Sequence, residues 1–552
     1  MIPSLLWWLW SFVWAGLDAY AVTFFLGICV LCIIYWIKQR HYQHSLFARF
    51  GIPYVKPHLL YGSYDTLRAE GRLSTDVIGD WIKMYGPVFG YFIGQTPYMV
   101  VRDLDMIRQV LVKDFHNFSN RPKLVIEAQP VIHTVVGLRD QKWKDVRSVL
   151  APTFSMVKMK KMTGIMNTRV TEFLNIVSKA SAKDEPLEFY SIFQGLTLDV
   201  ISECALAMKT NCQRDQNQDE LFSAVRSFLR HAVNPAILIA IYFSLFGKLM
   251  GFISNHLALS GRMTNMIVSH LKTVLNIRRK DLSTKYIDVL QLMIEAAETN
   301  PQQENTSNGA NDFKENSNDN KNSKSSHSYH SNKENAKKRY LSDEEIIANA
   351  WVFLLAGFET TANSLTSTAY LLALNPLVQE KLFQELREDI EDETEELTYD
   401  TVHNLPYLDQ VFSEALRIFP PVVTFVTRET HKEYQLGKYR IPKETNIMIP
   451  IWQIHHDPEL WPDPKFDPDR FSSDVKATES RHPMSYIPFG AGPRACVGIR
   501  FAQLEAKLTL ARLLRNFRLE TCSETPIPME FEIPTVTLIP AKGVMLRAVP
   551  RE

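Results

Sequence analysis

Apolar positions run almost unbroken from residue 5 to residue 37, interrupted by Asp18. From Ala19 to Ile37 there is no charge, and the stretch is long enough to cross a hydrocarbon core as a helix. It has no polar face, which argues against a buried core helix. It is too long for the apolar part of a cleaved leader, and no small-x-small site closes it. Trp7, Trp8, Trp10 and Trp14 suit an interfacial belt or a first, shallow segment. Lys38, Arg40 and His41 follow at once, and positive residues on that flank predict that it faces the cytosol. Residues 1–38 are therefore read as a single-pass anchor. Gly51-Ile52-Pro53 and Pro57 make 39–62 a stiff, turn-prone hinge. Residues 63–552 form one large domain.

Within that domain the period of the pattern changes several times. Asp76 to Gly86 is short and amphipathic, and Pro87 to Val101 alternates as strands do. After about residue 140 helical spacing dominates. The longest helix is predicted over Leu341–Leu374, with Ser342 and Glu345 as a capping box and Asn375-Pro376 as the stop. Strand-like pieces return around 437–451 and 533–548. The exception is 300–339, a tract of Asn, Ser, Lys, Asp and Glu that cannot bury enough surface to offset its ordering entropy. It reads as a disordered insertion.

Composition narrows the partners. Lys+Arg and Asp+Glu both number 61 in 552 residues, so nothing points to nucleic acid. Six cysteines, two of them (Cys29, Cys32) in the apolar N-terminal run, are too few and scattered for a disulfide framework. The folded part is expected in a reducing compartment.

Cys496 is the residue with the most specific surroundings. Phe489-Gly490-Ala491-Gly492-Pro493-Arg494-Ala495-Cys496-Val497-Gly498 is a glycine-punctuated loop leading into an apolar helix over Ile499–Leu514. A sulfur at a helix entrance meets the positive end of the dipole and free N–H groups, which favour thiolate over thiol. The glycines let the backbone turn tightly and approach a flat ligand. A thiolate so held is how proteins bind a haem iron meant to break an O–O bond; the alternative is a buried structural cysteine.

A second constellation, Ala356-Gly357-Phe358-Glu359-Thr360-Thr361, lies inside the long helix. Gly and Thr-Thr are poor helix formers there, and the combination is expected to mark a local bulge. Glu359 and Thr360 set an acid beside an alcohol, able through water to deliver the two protons that O–O cleavage needs. Glu414 and Arg417, at i and i+3, share a helix face, and Trp143 and Arg147, at i and i+4, share another. His455 and His456 precede an Asp-Pro turn and read as ordinary loop histidines.

Taken together and in this order, the motifs resemble the cytochrome P-450 superfamily. The haem loop F-x-x-G-x-R-x-C-x-G falls on Phe489, Gly492, Arg494, Cys496 and Gly498. The oxygen-binding motif falls on Ala356–Thr361, E-x-x-R on Glu414 and Arg417, and W-x-x-x-R on Trp143 and Arg147. The resemblance runs from about residue 50 to the C-terminus, leaving out the insertion. It is strongest toward the liver drug- and steroid-oxidising enzymes and thromboxane synthase. It implies a mainly α haem-thiolate domain with small peripheral β-sheets behind an N-terminal transmembrane helix. It also implies haem b on Cys496, with Trp143, Arg147, Arg428 and Arg494 toward its propionates and Phe489, Gly490 and Gly357 against the ring. Glu414, Arg417 and Arg470 are expected as a buried ionic triad, with Asp469 where the family often has Glu. The implied activity is a monooxygenase in the endoplasmic reticulum membrane, facing the cytosol. It would use O2 and electrons from NADPH through cytochrome P-450 reductase, with cytochrome b5 as a further donor. Lys142 and Lys144 are candidates to meet the reductase. The alternative is a haem-thiolate isomerase or dehydratase that rearranges a lipid peroxide without reductase. A lipophilic substrate is expected against 120–138, 222–258, 420–427 and 534–541, and Phe243 to Phe246 are candidates to dip into the bilayer.

Overall fold

In the computed structural model, the described residues are 19–551, apart from 125, 127, 215–218, 244–245, 281–287, 299–340, 391–395 and 479–480. The tract expected as an insertion at 300–339, and the tryptophans before residue 19, lie outside them.

Helix α1, Ala19–His44, contains the apolar run, and its Val22–His44 portion is long and apolar enough to cross a membrane. It does not stop at residue 38. Its last turns enter the body of the protein, where Arg40 and His44 are buried. Arg40 Nη2 donates to the Tyr242 carbonyl at 2.6 Å, and His44 Nε2 lies 3.0 Å from the Gly94 carbonyl. The expected hinge at 39–62 is likewise packed down. Phe47 is fully buried against Gly90, where even a Cβ would fall 2.4 Å from its ring. Ile52 is buried, and the Val55 N–H donates to Gly90 at 2.9 Å. Phe47, packed on a glycine in a strand, and the buried Ile52 turned a proline-flagged linker into a seat.

Beyond this seat, helix α2 (Ser74–Tyr85) precedes strands β1 (Val88–Ile93) and β2 (Thr96–Val101). The domain then becomes helical: α3 (Asp140–Leu150), α4 (Met156–Ser181), α5 (Phe189–Leu206), α6 (Glu220–His231), α7 (Pro235–Tyr242), α8 (Gly247–His256) and α9 (Leu259–Lys280). The central helix is α10, Asp343–Leu374, with α11 (Pro406–Ile418) and α12 (Ile499–Asn516) beside it. At the start of α10 the capping box is complete: Ser342 accepts from the Glu345 N–H, and Glu345 accepts from the Ser342 N–H. Most α10 side chains are buried, because α5, α11 and α12 surround it. No bulge breaks it: Ala356–Thr361 is regular α-helix. Gly357 instead serves close packing, since a Cβ there would come within 2.8 Å of Ile201 on α5.

The sheets are small. Strands β1 and β2 pair antiparallel, β2 pairs parallel with Asn446–Met448, and Thr427–Glu429 closes that four-stranded sheet. A three-stranded sheet joins Leu187–Glu188, Phe517–Thr521 and Met545–Pro550. The molecule is thus mainly helical with peripheral sheets, as the motifs implied.

Candidate functional site

The loop before α12 brings Cys496 to one wall of a large cavity. Gly490 and Gly492 both sit at φ +72°, a backbone that L side chains rarely adopt. At Gly492 a Cβ would also strike the Leu111 carbonyl at 1.9 Å, so the residue must be glycine. The Cys496 N–H donates to the Phe489 carbonyl at 2.9 Å, closing the loop, and Arg147 Nη2 on α3 donates to Ala495 at 2.9 Å. Cys496 is open to the cavity but deep within the protein. Burial pushes its thiol up, while the Gly498 N–H, Arg147 and Arg121 pull it down. The expected thiolate preference is therefore not met by the loop alone, and a cation at the sulfur would supply the missing charge.

The cavity has a volume of about 250 Å³. Cys496, Phe489, Gly490, Gly357, Thr360, Trp143, Arg147, Arg428 and Arg494 all line it. So does Arg121, which the sequence reading missed. No motif surrounds Arg121, and a lone arginine before a proline looks like any loop residue.

These arginines form an unusual group. Arg121, Arg428 and Arg494 face one another, with Arg139 and Arg147 near Arg494. Among the described residues, the carboxylate paired with this group is Glu429, at 2.5 Å from Arg139. Burial, then the neighbouring guanidinium groups, pull Arg494 down to about 8; burial and Arg121 pull Arg428 to about 9. Arginine keeps its proton even so, and the crowding measures how strongly this wall wants an anion. Several donors are already used: Arg494 Nε to Ser119 O at 2.7 Å, Arg494 Nη2 to Leu138 O at 2.9 Å, Arg428 Nη1 to Thr427 O at 2.8 Å. Three buried nitrogens, Arg121 Nε, Arg428 Nε and Arg494 Nη1, have no partner among the described residues. Buried donors are normally satisfied. A haem with its sulfur ligand at Cys496 and two carboxylates at this wall fits every one of these features. Trp143, under Arg494 at 4.1 Å, completes the wall.

Across the cavity, α10 presents Ala356, Gly357, Thr360, Thr361 and Ser364. The Thr360 hydroxyl donates to the Ala356 carbonyl at 2.7 Å. Glu359 is not with it. Adjacent helical residues point about 100° apart, and Glu359 faces α5. There Tyr190 Oη donates to its Oε1, Gln194 Nε2 to its Oε2 at 3.2 Å and Asn363 Nδ2 to its Oε1 at 3.3 Å. Burial raises the acid against these donors. The expected side-by-side acid and alcohol are thus split between two faces of one helix.

The rest of the lining is apolar: Val135, Val136, Ile201, Val352, Phe353, Phe412, Leu416, Val422, Phe425 and Val426. Segments 120–138 and 420–427 contribute, as expected. Among the described residues, none from 222–258 or 534–541 lines this cavity.

Glu414, Arg417 and Arg470 do meet. Arg417 donates twice to Glu414, at 2.8 and 2.7 Å, and Arg470 Nε reaches Glu414 Oε1 at 3.3 Å, all buried. His455 is fully buried, accepts from the Ile487 N–H at 3.1 Å and holds the segment that leads into the Cys496 loop; it does not line the cavity.

The profile of the family described as Cytochrome P450 matches residues 53–547. Thromboxane-A synthase of Sus scrofa is 31% identical over 550 residues, covering 98% of this chain and 99% of the relative. Cytochrome P450 3A40 of Oryzias latipes is 31% identical over 532 residues, 96% and 97% of the two chains. Cytochrome P450 6a8 of Drosophila melanogaster is 31% identical over 538 residues, 95% and 98%. With a thiol loop, an arginine wall and a threonine-bearing helix around one cavity, and a family match over nearly its whole length, the chain belongs to the cytochrome P450 family and is a haem-thiolate enzyme.

Proposed function

We propose that the enzyme is a monooxygenase of the endoplasmic reticulum membrane, driven by NADPH through cytochrome P-450 reductase, that puts one atom of O2 into a lipophilic substrate. The observation that carries this is Thr360, which lines the same cavity as Cys496. When bound, haem b supplies the reductive cleavage of O2. This chain's residues do the rest. Cys496 would ligate the haem iron through sulfur. Arg121, Arg147, Arg428, Arg494 and Trp143 would hold the haem carboxylates, and Phe489, Gly490 and Gly357 would pack against the haem. The apolar lining orients substrate and excludes water. Thr360 holds a proton at the cavity surface, and Glu359 on the next position feeds it. The triad of Glu414, Arg417 and Arg470 is structural.

Orientation follows from Lys38 and Arg40, which favour the cytosolic side. Ile239, Phe243, Phe246, Leu249, Phe252 and Leu257 are exposed around α7 and α8. Trp36 of α1 stacks on Phe243 at 6.1 Å, so this apolar patch adjoins the membrane helix and dips into the bilayer. Lys144 is exposed and offers a reductase or cytochrome b5 contact; Lys142 is partly spent on Glu345, at 2.9 Å.

The second reading is a haem-thiolate isomerase acting on a lipid peroxide. Two observations favour it: Glu359 faces away from the cavity, and thromboxane-A synthases match as well as monooxygenases do. Turnover in nanodiscs with reductase, NADPH and ¹⁸O₂ decides. Product carrying one ¹⁸O, made only with NADPH, supports the first. Rearrangement of a lipid peroxide without NADPH supports the second.

A further inference from the structure

Asn349 continues the stripe of α10 that faces the cavity. Phe353, Ala356 and Thr360 stand at i+4, i+7 and i+11 from it, and all three line the cavity. Asn349 itself is fully buried and does not line it. Its amide is spent on the segment 131–138. Oδ1 accepts from the Val135 N–H at 2.8 Å. Nδ2 donates to Glu345 O of its own helix at 2.7 Å and reaches the His133 carbonyl at 3.5 Å. The segment is a tight turn tied to itself. Val131–His133 is a 3₁₀ turn, and the Thr134 hydroxyl donates to Val131 O at 2.7 Å and accepts from the Gly137 N–H at 3.1 Å. A Cβ at Gly137 would fall 2.2 Å from the same Val131 carbonyl. Such a turn moves as one body, and it carries Val135 and Val136 into the cavity wall. Its far end is held by Arg494, which donates to Leu138 O at 2.9 Å. Among the described residues, the side-chain hydrogen bonds that reach 131–137 from another element both come from Asn349.

We propose that Asn349 is a specificity-determining positioning residue. Through the Val135 N–H it fixes how far the shelf of Val135 and Val136 stands into the cavity, and so how large a lipophilic ligand the cavity admits. The inference rests on the reading of this cavity as the substrate site, and it is the same for a monooxygenase and an isomerase. Asn349 is clamped at both ends of its amide, which sets the distance from α10 to the Val135 nitrogen. Without the tether a buried N–H loses its acceptor. The turn then shifts to find another, and the shelf shifts with it. Selectivity in an apolar pocket is steep in such changes: one methylene is worth about 10–200-fold. Asn349 touches no ligand itself; it acts through Val135 and Val136.

The test uses the full chain with haem bound and reads ligand binding by difference spectra, so it needs neither reductase nor a known substrate. The probes are imidazole, phenylimidazole and biphenylimidazole, which bind iron through nitrogen and differ in their reach into apolar space. Asn349→Leu keeps the volume and removes the bonds. Asn349→Ser is smaller and bonds back to Glu345 O in its own helix. Both variants should bind imidazole as the wild type does, and both should lower the ratio of phenylimidazole to biphenylimidazole affinity by about tenfold. Asn349→Asp, which keeps an oxygen for the Val135 N–H, should restore most of that ratio. Val135→Ala should lower the ratio by itself and add little on top of Asn349→Leu, because both act on one shelf. If Asn349→Leu takes up no haem, Asn349→Ser carries the same comparison. An unchanged ratio in Asn349→Leu and Asn349→Ser overturns the proposal. Equal losses for all three ligands make Asn349 a support of the haem site and overturn it too. Full additivity with Val135→Ala overturns the route through the shelf. The isotope test of the reaction is untouched by these outcomes, so the two readings fail separately.

Discussion

Arg121→Ala should weaken haem binding without weakening the haem-free fold. Arg121 sits in the arginine wall with Nε unpartnered, while Nη1 donates to Phe425 O at 3.1 Å and the guanidinium lies 3.9 Å over the Phe425 ring. Toward a propionate, one charge-assisted hydrogen bond is worth about 1.5–3 kcal/mol, or roughly 10- to 150-fold in affinity. Without haem the ledger differs. The Phe425 contacts contribute about 1 kcal/mol, and removing one of several mutually repelling cations offsets that loss. Transfer of haem to an excess of a scavenging protein measures the first quantity, and urea unfolding of haem-free protein the second. Transfer should accelerate by about 10-fold or more, with unfolding nearly unchanged. Arg121→Lys, which keeps the charge but not the planar fork, should fall between. Wild-type transfer rates, or a haem-free fold destabilised as much as haem binding, would refute the assignment of Arg121 to the propionates.

Thr360→Ala should retain haem and substrate while NADPH consumption yields peroxide in place of product, with the productive rate down about 10²–10⁴-fold; unchanged coupling in a peroxide assay removes Thr360 from the relay. Glu414→Ala strands two buried guanidinium groups and should cost about 3–5 kcal/mol in denaturant unfolding. A loss below about 1 kcal/mol, the scale of an exposed pair, would contradict the buried triad. His455, held down to about 3 by burial, then by His456 and Arg417, is neutral in the fold. Unfolded, it binds a proton below about 6.5. Between those values the unfolded chain binds more protons, so stability rises with pH there and is lost as pH falls from about 6.5 toward 3. His455→Gln should flatten the acid limb of the stability–pH curve, and an unaltered limb would exclude this source.

What the sequence disclosed was whatever is local. The Ser342–Glu345 box, the glycines around Cys496 and the proline at 376 act within a few residues, so they can be read from a string. The Glu414–Arg417 pair was legible because the two share a turn, whereas Arg470 was expected only from the family resemblance. Direction around a helix was also legible, and was misjudged. Thr360 keeps company with Ala356 and Ser364 at i±4, all on the cavity. Glu359 keeps company with Asn363 at i+4, which bonds to it on the other face. Arg121 was hidden because its role depends on residues at 425, 428 and 494, brought to it only by the fold. The end of the membrane helix was hidden likewise: prolines at 53 and 57 announce a hinge, while the burial of Phe47 depends on Gly90.

That seat makes the membrane helix a lever and not a leash. Its last two turns are bonded to Tyr242 and Gly94, and its Trp36 stacks on Phe243. A transmembrane helix answers a thinner or thicker bilayer by tilting. Here the tilt has no slack chain to absorb it, and it passes directly to α7 and to the β1–β2 turn. With α1 in a bilayer as proposed, bilayer thickness would become a mechanical input to the enzyme, and the same catalytic domain moved between membranes of different lipid composition would sit at a different pitch.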